Sequence, residues 1–315
     1  MLRNLTKKYL TDLIKAKAFD LGFDKIGIVK LSKFEEEEIH LKKWLENGMN
    51  AEMQYMNRNV EKRIDPNLIT EGSKSAIVVL HNYFSAKVEN SDKYNISQYA
   101  LGLDYHSVMK NKLAILLNSL KALDATIDGR CFVDSAPILE RALARNAGLG
   151  WVGKNSCLIN KDLGSFFFIG EIFINLELEY DKKLGTEFCG SCSKCIDACP
   201  TKAIEFPYVI NANKCISYQT IENKKEISTS LKGKYQNWIF GCDICQNVCP
   251  WNNKPVLTNE ESYLTNKHIN KNTNDFWENL SHEEFNALFK NTPIERTGYD
   301  NLKRNIDFLK NSSES

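Results

Sequence analysis

The chain of 315 residues carries almost no net charge. Its 41 lysines and arginines against 40 aspartates and glutamates leave +1 with histidine neutral. No global field therefore draws it to nucleic acid, and such contact has to come from local basic patches. Long apolar runs are missing as well. The longest, 166–174, is broken by Gly170 and Glu171 and falls far short of the ~20 apolar residues of a spanning helix, so no membrane partner is expected. Residues 1–18 are Lys-rich and amphipathic, without the apolar core or cleavage site of a secretory signal. A reducing, cytoplasmic setting is the expectation, and with it no disulfide framework. No repeat of solenoid length occurs.

What the chain has in quantity is cysteine, ten in all. Residues 189–200 read C-G-S-C-S-K-C-I-D-A-C-P, Cys215 follows alone, and 242–250 read C-D-I-C-Q-N-V-C-P. Three cysteines at spacing two and two, then a fourth after three residues and a proline, form the bacterial ferredoxin run, in which the fourth cysteine ligates the other cluster. That rule assigns Cys189, Cys192, Cys195 and Cys249 to one [4Fe–4S] cluster. Cys215, Cys242, Cys245 and Cys199 take the second, whose first ligand has been pushed upstream by an insertion. A pair of zinc ribbons is the alternative, but zinc needs only four ligands and leaves the x2-x2-x3-Pro spacing unexplained. Cys131 and Cys157 remain, both in apolar strand-like surroundings, and read as small buried hydrophobes.

With 43% hydrophobic residues the chain can bury a sizeable core in two or three domains. Helical spacing at 5–21 stops at Gly22, an alternating strand covers 25–31, and helical spacing returns over 34–47 before Gly48. The β-branched run 75–80 has the composition of a central strand covered on both faces. A helix is expected over 105–121 with Asp104 as its cap, a short strand over 131–133, a helix opening at Pro137 and running to Ala147, and one or two strands over 166–178. Composition then changes abruptly, which puts a domain boundary near 180. A cysteine domain over 181–255 and a helical tail over 256–315 follow, with helical spacing at 276–289 and 301–310 and a loose end at 311–315.

Gly148, Gly150 and Gly153 match G-x-G-x-x-G, yet a helix precedes them and a strand follows, the reverse of the dinucleotide-binding context. They read either as a helix stop and turn or as bare backbone approached by a bulky ligand. Asp134, in C-F-V-D-S-A-P, sits where a strand gives way to a helix, a usual place for functional residues. The plain alternative is that Asp134 or Ser135 caps that helix. Tyr105 and His106 open another helix, where histidine is more often structural.

The segment 133–155, V-D-S-A-P-I-L-E-R-A-L-A-R-N-A-G-L-G-W-V-G-K-N, followed by the two-cluster cysteines, closely resembles the epoxyqueuosine reductase family. The likeness extends through 21–28, 52–58, 61–66, 99–106, 164–172 and 215–222, up to about residue 310. It implies an α+β or α/β chain: an N-terminal cobalamin domain (1–180) of nitroreductase-like three-layer form, then a ferredoxin-like domain with two [4Fe–4S] clusters. It implies an oxidoreductase that reduces the epoxide of epoxyqueuosine, at the wobble position of a tRNA anticodon loop, to queuosine. Electrons pass from the clusters to a base-off cobalamin, because the D-x-H-x-x-G lower-ligand signature is absent: Asp104-Tyr-His106 is followed by Met109 rather than glycine.

In that resemblance Asp134 is the proton donor and a cobalamin contact, which asks for a dry pocket. Arg58, Lys154, Asn155 and Ser156 are cobalamin-binding, with Ser217 and Asp243 beside cluster ligands where a corrin edge could meet the second cluster. Glu222 and Lys224 are RNA contacts. Lys224, Lys225, Lys232 and Lys234 form a basic insertion between Cys215 and Cys242, interleaved with Tyr218, Tyr235 and Trp238, a composition suited to phosphates and stacked loop bases. The resemblance implies a short form, without the further C-terminal helical-repeat domain of many relatives. The expected state is a monomer fed by a low-potential donor of flavodoxin or ferredoxin type. Two other readings compete. A reductive dehalogenase relative shares the corrin-and-two-clusters plan but would take an organohalide, and a plain electron carrier would bind no corrin.

Overall fold

A computed structural model of the chain describes residues 6–85, 94–264, 269 and 273–313. Its centre is the strand Ser75–Asn82, whose eight residues are all buried. An uninterrupted S-A-I-V-V-L run can be buried only if both faces are covered, and they are. Strands stand in the order Lys25–Lys30, Ser75–Asn82, Phe167–Ile174, Gly129–Phe132, with every neighbour antiparallel.

One face packs Leu10, Ile14 and Ala18 of helix Lys7–Asp20 and Met109, Leu113, Leu116, Leu117 and Leu120 of helix Tyr105–Lys121. The other packs Ala142, Leu143 and Ala144 of helix Glu140–Asn146, together with Phe34 and Leu149. Each large side chain so buried contributes roughly 1.5–3 kcal/mol against exposure. This is the three-layer architecture that the resemblance implied, in its antiparallel α+β form.

The ends of the first helices obey local chemistry. Thr6 Oγ1 accepts from the Tyr9 amide at 3.2 Å, and Gly22 closes the same helix at φ +86°, a left-handed geometry that favours glycine. Leu5, where that helix was expected to open, lies outside the described residues. Asp104 caps helix Tyr105–Lys121 as expected, accepting from the His106 amide at 3.0 Å.

Other expectations need correction. The helix after Asp134 begins at Glu140, not Pro137, and its N-cap position is Leu139. Asp134 and Ser135 therefore cap nothing, and Asp134 itself is left-handed at φ +42°. Of the one or two strands expected over 166–178 there is one, Phe167–Ile174, which needs no correction. The spacing over 276–289 resolves into helices Asn274–Glu278 and His282–Phe289, because Ser281 and Glu284 form a reciprocal capping box that starts a new helix. Residues 311–313 continue helix Tyr299–Ser313 instead of hanging loose, and the last two residues lie outside the described range.

The glycines of the G-x-G-x-x-G match face their own chain. A Cβ on Gly150 would stand 2.2 Å from the Ile159 carbonyl oxygen and one on Gly153 2.5 Å from Ile159 Cδ1, because Trp151–Val152 pairs with Leu158–Ile159. They permit a tight hairpin, and no cofactor approach is needed to explain them. Gly164 allows another close contact: at φ +68° a Cβ there would collide with the Asn252 side chain, whose Oδ1 accepts from the Ser165 amide at 2.8 Å.

The tail shares a second core with the insertion between Cys215 and Cys242. Trp277, Phe285, Phe289, Leu302 and Ile306 pack with Ile216, Tyr235, Ile239 and Phe240. Arg304 donates to the carbonyl oxygens of Gln219, Asn223 and Lys225 at 2.9, 2.8 and 2.6 Å. Asn305, fully buried, donates to those of Thr220 and Ile239 at 2.9 Å each. Two of these carbonyls, Gln219 and Thr220, are ones that the short helix Ile216–Ile221 leaves unpaired at its end, and the others belong to the loop after it and to strand Trp238–Phe240.

Candidate active site at the Asp134 edge and two groups of thiols

Asp134 lies beyond strand Gly129–Phe132, and its carboxylate is 62% exposed. The Tyr105 hydroxyl donates to Asp134 Oδ2 at 2.7 Å. His106 Nε2 stands 3.9 Å from the same oxygen while its Nδ1 is held by Asp104 at 2.8 Å. The Tyr105 ring is clamped between His106 and Phe168, with centroids 4.1 and 4.2 Å away. Burial, then the charge of Asp134, pushes the Tyr105 phenol far above its ordinary range, so it stays a donor. The dryness expected around Asp134 is not supplied by the chain alone, because the carboxylate opens to solvent.

Two side chains from the first turn of helix Glu140–Asn146 fix this edge. Glu140 accepts from the Asp134 amide at 2.5 Å, and Arg141 donates to the carbonyl oxygen of Ser156. Ser156 is also left-handed, at φ +61°. Strained non-glycine residues on both sides of one helical turn are characteristic of functional sites. On the far side of Ser156, Cys157 lies against Cys245, so the expectation of bland apolar surroundings for Cys157 is overturned; that thiol contact is the main influence lowering its pKa. Cys131 does sit partly buried against the core, its thiol pushed up to about 11 by burial.

The eight cysteines of the ferredoxin run fall into two neighbourhoods. Cys195 has Cys189 and Cys249 beside it, and Cys249 has Cys189 and Cys192. Cys242 faces Cys215 and Cys199, and Cys245 faces Cys242 and Cys215. Cys249 thus stands with the first three and Cys199 with the later three. Backbone amides point at the sulfurs: those of Ser217 and Tyr218 at Cys215, of Ile244 at Cys242, of Trp251 at Cys249, and of Ala203 at Cys199 at 3.2 Å. Burial pushes the Cys195 thiol up to about 11 and Cys242 higher still, so thiolate there requires a strong Lewis acid. Among the described residues no three His, Cys, Asp or Glu converge on a single ion. Amide donors round sulfur are what iron–sulfur clusters use.

The other expected site residues have varied placements. Arg58 is exposed, at the end of the short Gln54–Met56 turn. Lys154 Nζ donates to the carbonyl oxygens of Gly190 and Cys192 at 2.6 and 2.9 Å, so it braces the first cysteine loop. Asn155 is buried and accepts from the Cys157 amide at 3.2 Å, and Ser156 Oγ donates to the Tyr208 carbonyl oxygen at 2.9 Å. Ser217 stands half-buried beside Cys215. Asp243 is almost fully buried, accepting from the Ser97 hydroxyl and, at 2.7 Å, from the Gln98 amide. Its carboxylate docks the cysteine segment onto 95–98 and does not open to a ligand.

Glu222 pairs with Arg296, and Lys224, Lys232 and Lys234 are exposed. The stacking role expected for Tyr218, Tyr235 and Trp238 is not available: all three rings are buried at 7, 1 and 8% exposure, Tyr235 and Trp238 in the core shared with the tail and Tyr218 with its hydroxyl accepting from the Glu52 amide.

Arg296 escaped the sequence reading. It comes from the tail, yet its guanidinium lies in the field of Glu222, Tyr105, Tyr99 and Asp134, and Tyr55 joins the same rim. Nothing local in R-T-G-Y announces this. A cavity of about 320 Å³ lined by Gly72, Lys74, Asp128 and Asn175 sits at the opposite end of the sheet, where Gly129 pairs with Ile174, away from this chemistry.

Comparison with known proteins places this geometry. A family model described as epoxyqueuosine reductase QueG, DUF1730, matches residues 63–135, and one described as a 4Fe-4S double cluster binding domain matches 188–252. An epoxyqueuosine reductase of Cellulophaga algicola is 46% identical over 305 residues, covering 97% of this chain and 99% of the relative. That of Escherichia coli is 38% identical over 312 residues, covering 97% and 82%. Among solved structures, an epoxyqueuosine reductase with an epoxyqueuosine-modified tRNA-Tyr stem loop superposes with a TM-score of 0.88 at 27% identity, covering 95% of this chain and 80% of that one. The Streptococcus thermophilus enzyme gives 0.86 at 28%, covering 100% and 82%. With its open carboxylate edge, its double-cluster cysteine segment and these relatives over nearly its whole length, the chain belongs to the epoxyqueuosine reductase family.

Proposed function

We propose that this chain reduces the epoxide of epoxyqueuosine in the anticodon loop of tRNA to the alkene of queuosine, with Asp134 as proton donor. The observation that carries the proposal is Asp134 itself: open to solvent, held by Tyr105, and joined through Glu140 and Arg141 to the loop that touches Cys245. Removing the oxirane oxygen as water takes two electrons and two protons.

Cys189, Cys192, Cys195 and Cys249 would hold one cluster and Cys199, Cys215, Cys242 and Cys245 the other, a division supported by the two thiol neighbourhoods. Asp134, Ser156, Arg58 and Ser217 would hold a base-off cobalamin, with His106 occupied by Asp104. When bound, the clusters and the corrin supply one-electron carriers and a strongly reducing cobalt.

The protein's part is position and protons. Tyr105 orients Asp134, and the strained backbone at Asp134 aims the carboxyl outward. Arg296 adds a cation at the rim that suits a phosphate or the substrate's polar edge. Lys224, Lys232 and Lys234 offer further phosphate contacts, a distribution suited to a local RNA surface on a chain of near-zero net charge. The electron donor would be a low-potential carrier of flavodoxin or ferredoxin type.

The test is anaerobic incubation of cluster- and cobalamin-loaded protein with tRNA bearing the epoxide and a low-potential reductant, followed by nucleoside mass spectrometry. Loss of one oxygen from the modified nucleoside is expected. Unchanged nucleoside together with no corrin binding would instead favour a plain electron carrier.

A further inference from the structure

Behind Asp134 the sheet buries a second carboxyl group with no hydrogen-bond partner. Glu171 is fully buried, and neither of its oxygens is hydrogen-bonded. It sits in strand Phe167–Ile174 with Val78 opposite on one side and Phe132 on the other, on the sheet face covered by helix Glu140–Asn146. That helix places Glu140 beside it, and Glu140 in turn takes the Asp134 amide at 2.5 Å.

Packing alone gives no reason for an acid there. A buried, unpaired carboxylate is strongly disfavoured, and a methionine would fill the same space without that penalty. The surroundings tell the same way. The neighbouring strands bring only Val78 and Phe132, the helix brings Glu140 and Arg141, and the loop brings Asp134. Burial, then the charges of Glu140 and Asp134, drives the Glu171 carboxyl far above its usual range. Burial, then Asp134, lifts Glu140 to about 8, against the opposing pull of the Asp134 amide and Arg141. A glutamic acid whose unpartnered burial disfavours its charge, and a second lifted beside it, thus stand behind an exposed aspartate.

We propose that Glu171 and Glu140 form a proton store that recharges Asp134 within each turnover. This rests on the epoxide-reduction reading. Both carbon–oxygen bonds of the oxirane break, two electrons arrive from the reduced metal centres, the carbons keep the new double bond, and the oxygen leaves with two protons as water. Asp134 gives the first proton. The second comes from Glu171, whose carboxyl has no bond to break, by way of Glu140, which must turn from the Asp134 amide to the Asp134 carboxylate to deliver it, and bulk water refills the store through Glu140, which is partly exposed. Glu140 and Glu171 act through Asp134, so they are positioning residues for the proton and touch no substrate.

The experiment pairs an infrared titration of carboxyl groups in the whole protein with kinetics of the loaded enzyme. Wild-type protein should show two glutamates that keep their protons above pH 6, one titrating near 8; Glu171→Gln should remove one of these signals and Glu140→Gln the other. In turnover, the wild-type rate should fall as pH rises through about 8. Glu171→Gln should lower kcat at least about tenfold with KM for tRNA unchanged, and turn a curved proton inventory in mixed light and heavy water into a linear one. Glu140→Gln should abolish the alkaline limb, and it serves if Glu171→Gln does not fold.

Ionised glutamates at pH 7 would overturn the store whether or not the protein has the activity. Retained protons with wild-type kcat, pH profile and proton inventory in both variants would overturn it while leaving epoxide reduction intact.

Discussion

The hydroxyl of Tyr105 and the carboxylate of Asp134, 29 residues apart in sequence, meet in a hydrogen bond of 2.7 Å at the edge of the sheet. Because Tyr105 is clamped between two rings, the bond fixes where the Asp134 carboxyl points. Tyr105→Phe keeps the stack and removes the donor. Loss of one hydrogen bond to an acidic oxygen is worth about 1.5 kcal/mol, or about tenfold in rate. Steady-state turnover should show that fall in kcat with iron and corrin content unchanged; an unaffected kcat would remove Tyr105 from the mechanism.

Crossed ligation makes a prediction that runs against sequence order. Cys249 neighbours Cys189 and Cys192, about 60 residues upstream. Cys249→Ala and Cys192→Ala should therefore destroy the same cluster and leave the same electron paramagnetic signal, each variant retaining about four of eight irons. Cys157→Ala, removing a thiol that touches Cys245 without belonging to either set, should keep all eight. Different residual signals from the Cys249 and Cys192 variants would refute the crossing.

Arg304 closes three backbone carbonyls of the insertion with one guanidinium. Its replacement by alanine leaves those oxygens short of donors, and a destabilisation on the order of 3 kcal/mol is expected. Urea unfolding of the anaerobic protein should show the midpoint moving down accordingly, and a shift of a few tenths would mean the tail is a mere appendage.

Phosphate binding and base stacking separate cleanly here, because the lysines of the insertion are exposed while its rings are core. Changing Lys224, Lys232 and Lys234 together to alanine should weaken tRNA binding across sequences and make its salt dependence shallower, by about one in the slope for each lysine that had neutralised a phosphate. Tyr235→Phe should leave affinity alone. Lys225, paired with Glu52 at 2.9 Å, should matter less than its neighbours.

Which of these features could be read from the sequence follows from how local their causes are. Cysteine spacing is local, so a division into two sets of four could be proposed before any fold existed. The buried strand was legible over 75–80 for the same reason: its apolar run needs cover on both faces, while His81 and Asn82 extend it beyond that run. Asp104 as a cap needed only the two residues after it. Asp134 was singled out by the turn it occupies, yet its competing role as a helix cap fell only when the helix was seen to start at Glu140.

Arg296, Arg304 and Glu171 were not legible, since each owes its role to partners across the fold. Tyr235 and Trp238 misled because composition reports that rings are present and not which way they face. In the insertion, burial in a core shared with the tail took precedence over exposure to a ligand.

The central claim is that Asp134 gives a proton to an epoxide reduced by metal-borne electrons. Its most direct measurement is the yield of queuosine in tRNA, by nucleoside mass spectrometry, for wild type and Asp134→Asn at equal iron and corrin content. The wild type should convert the epoxide at two electrons per product, and the variant should be slower by a factor on the order of 100 or more. Equal rates from the two proteins would contradict the account.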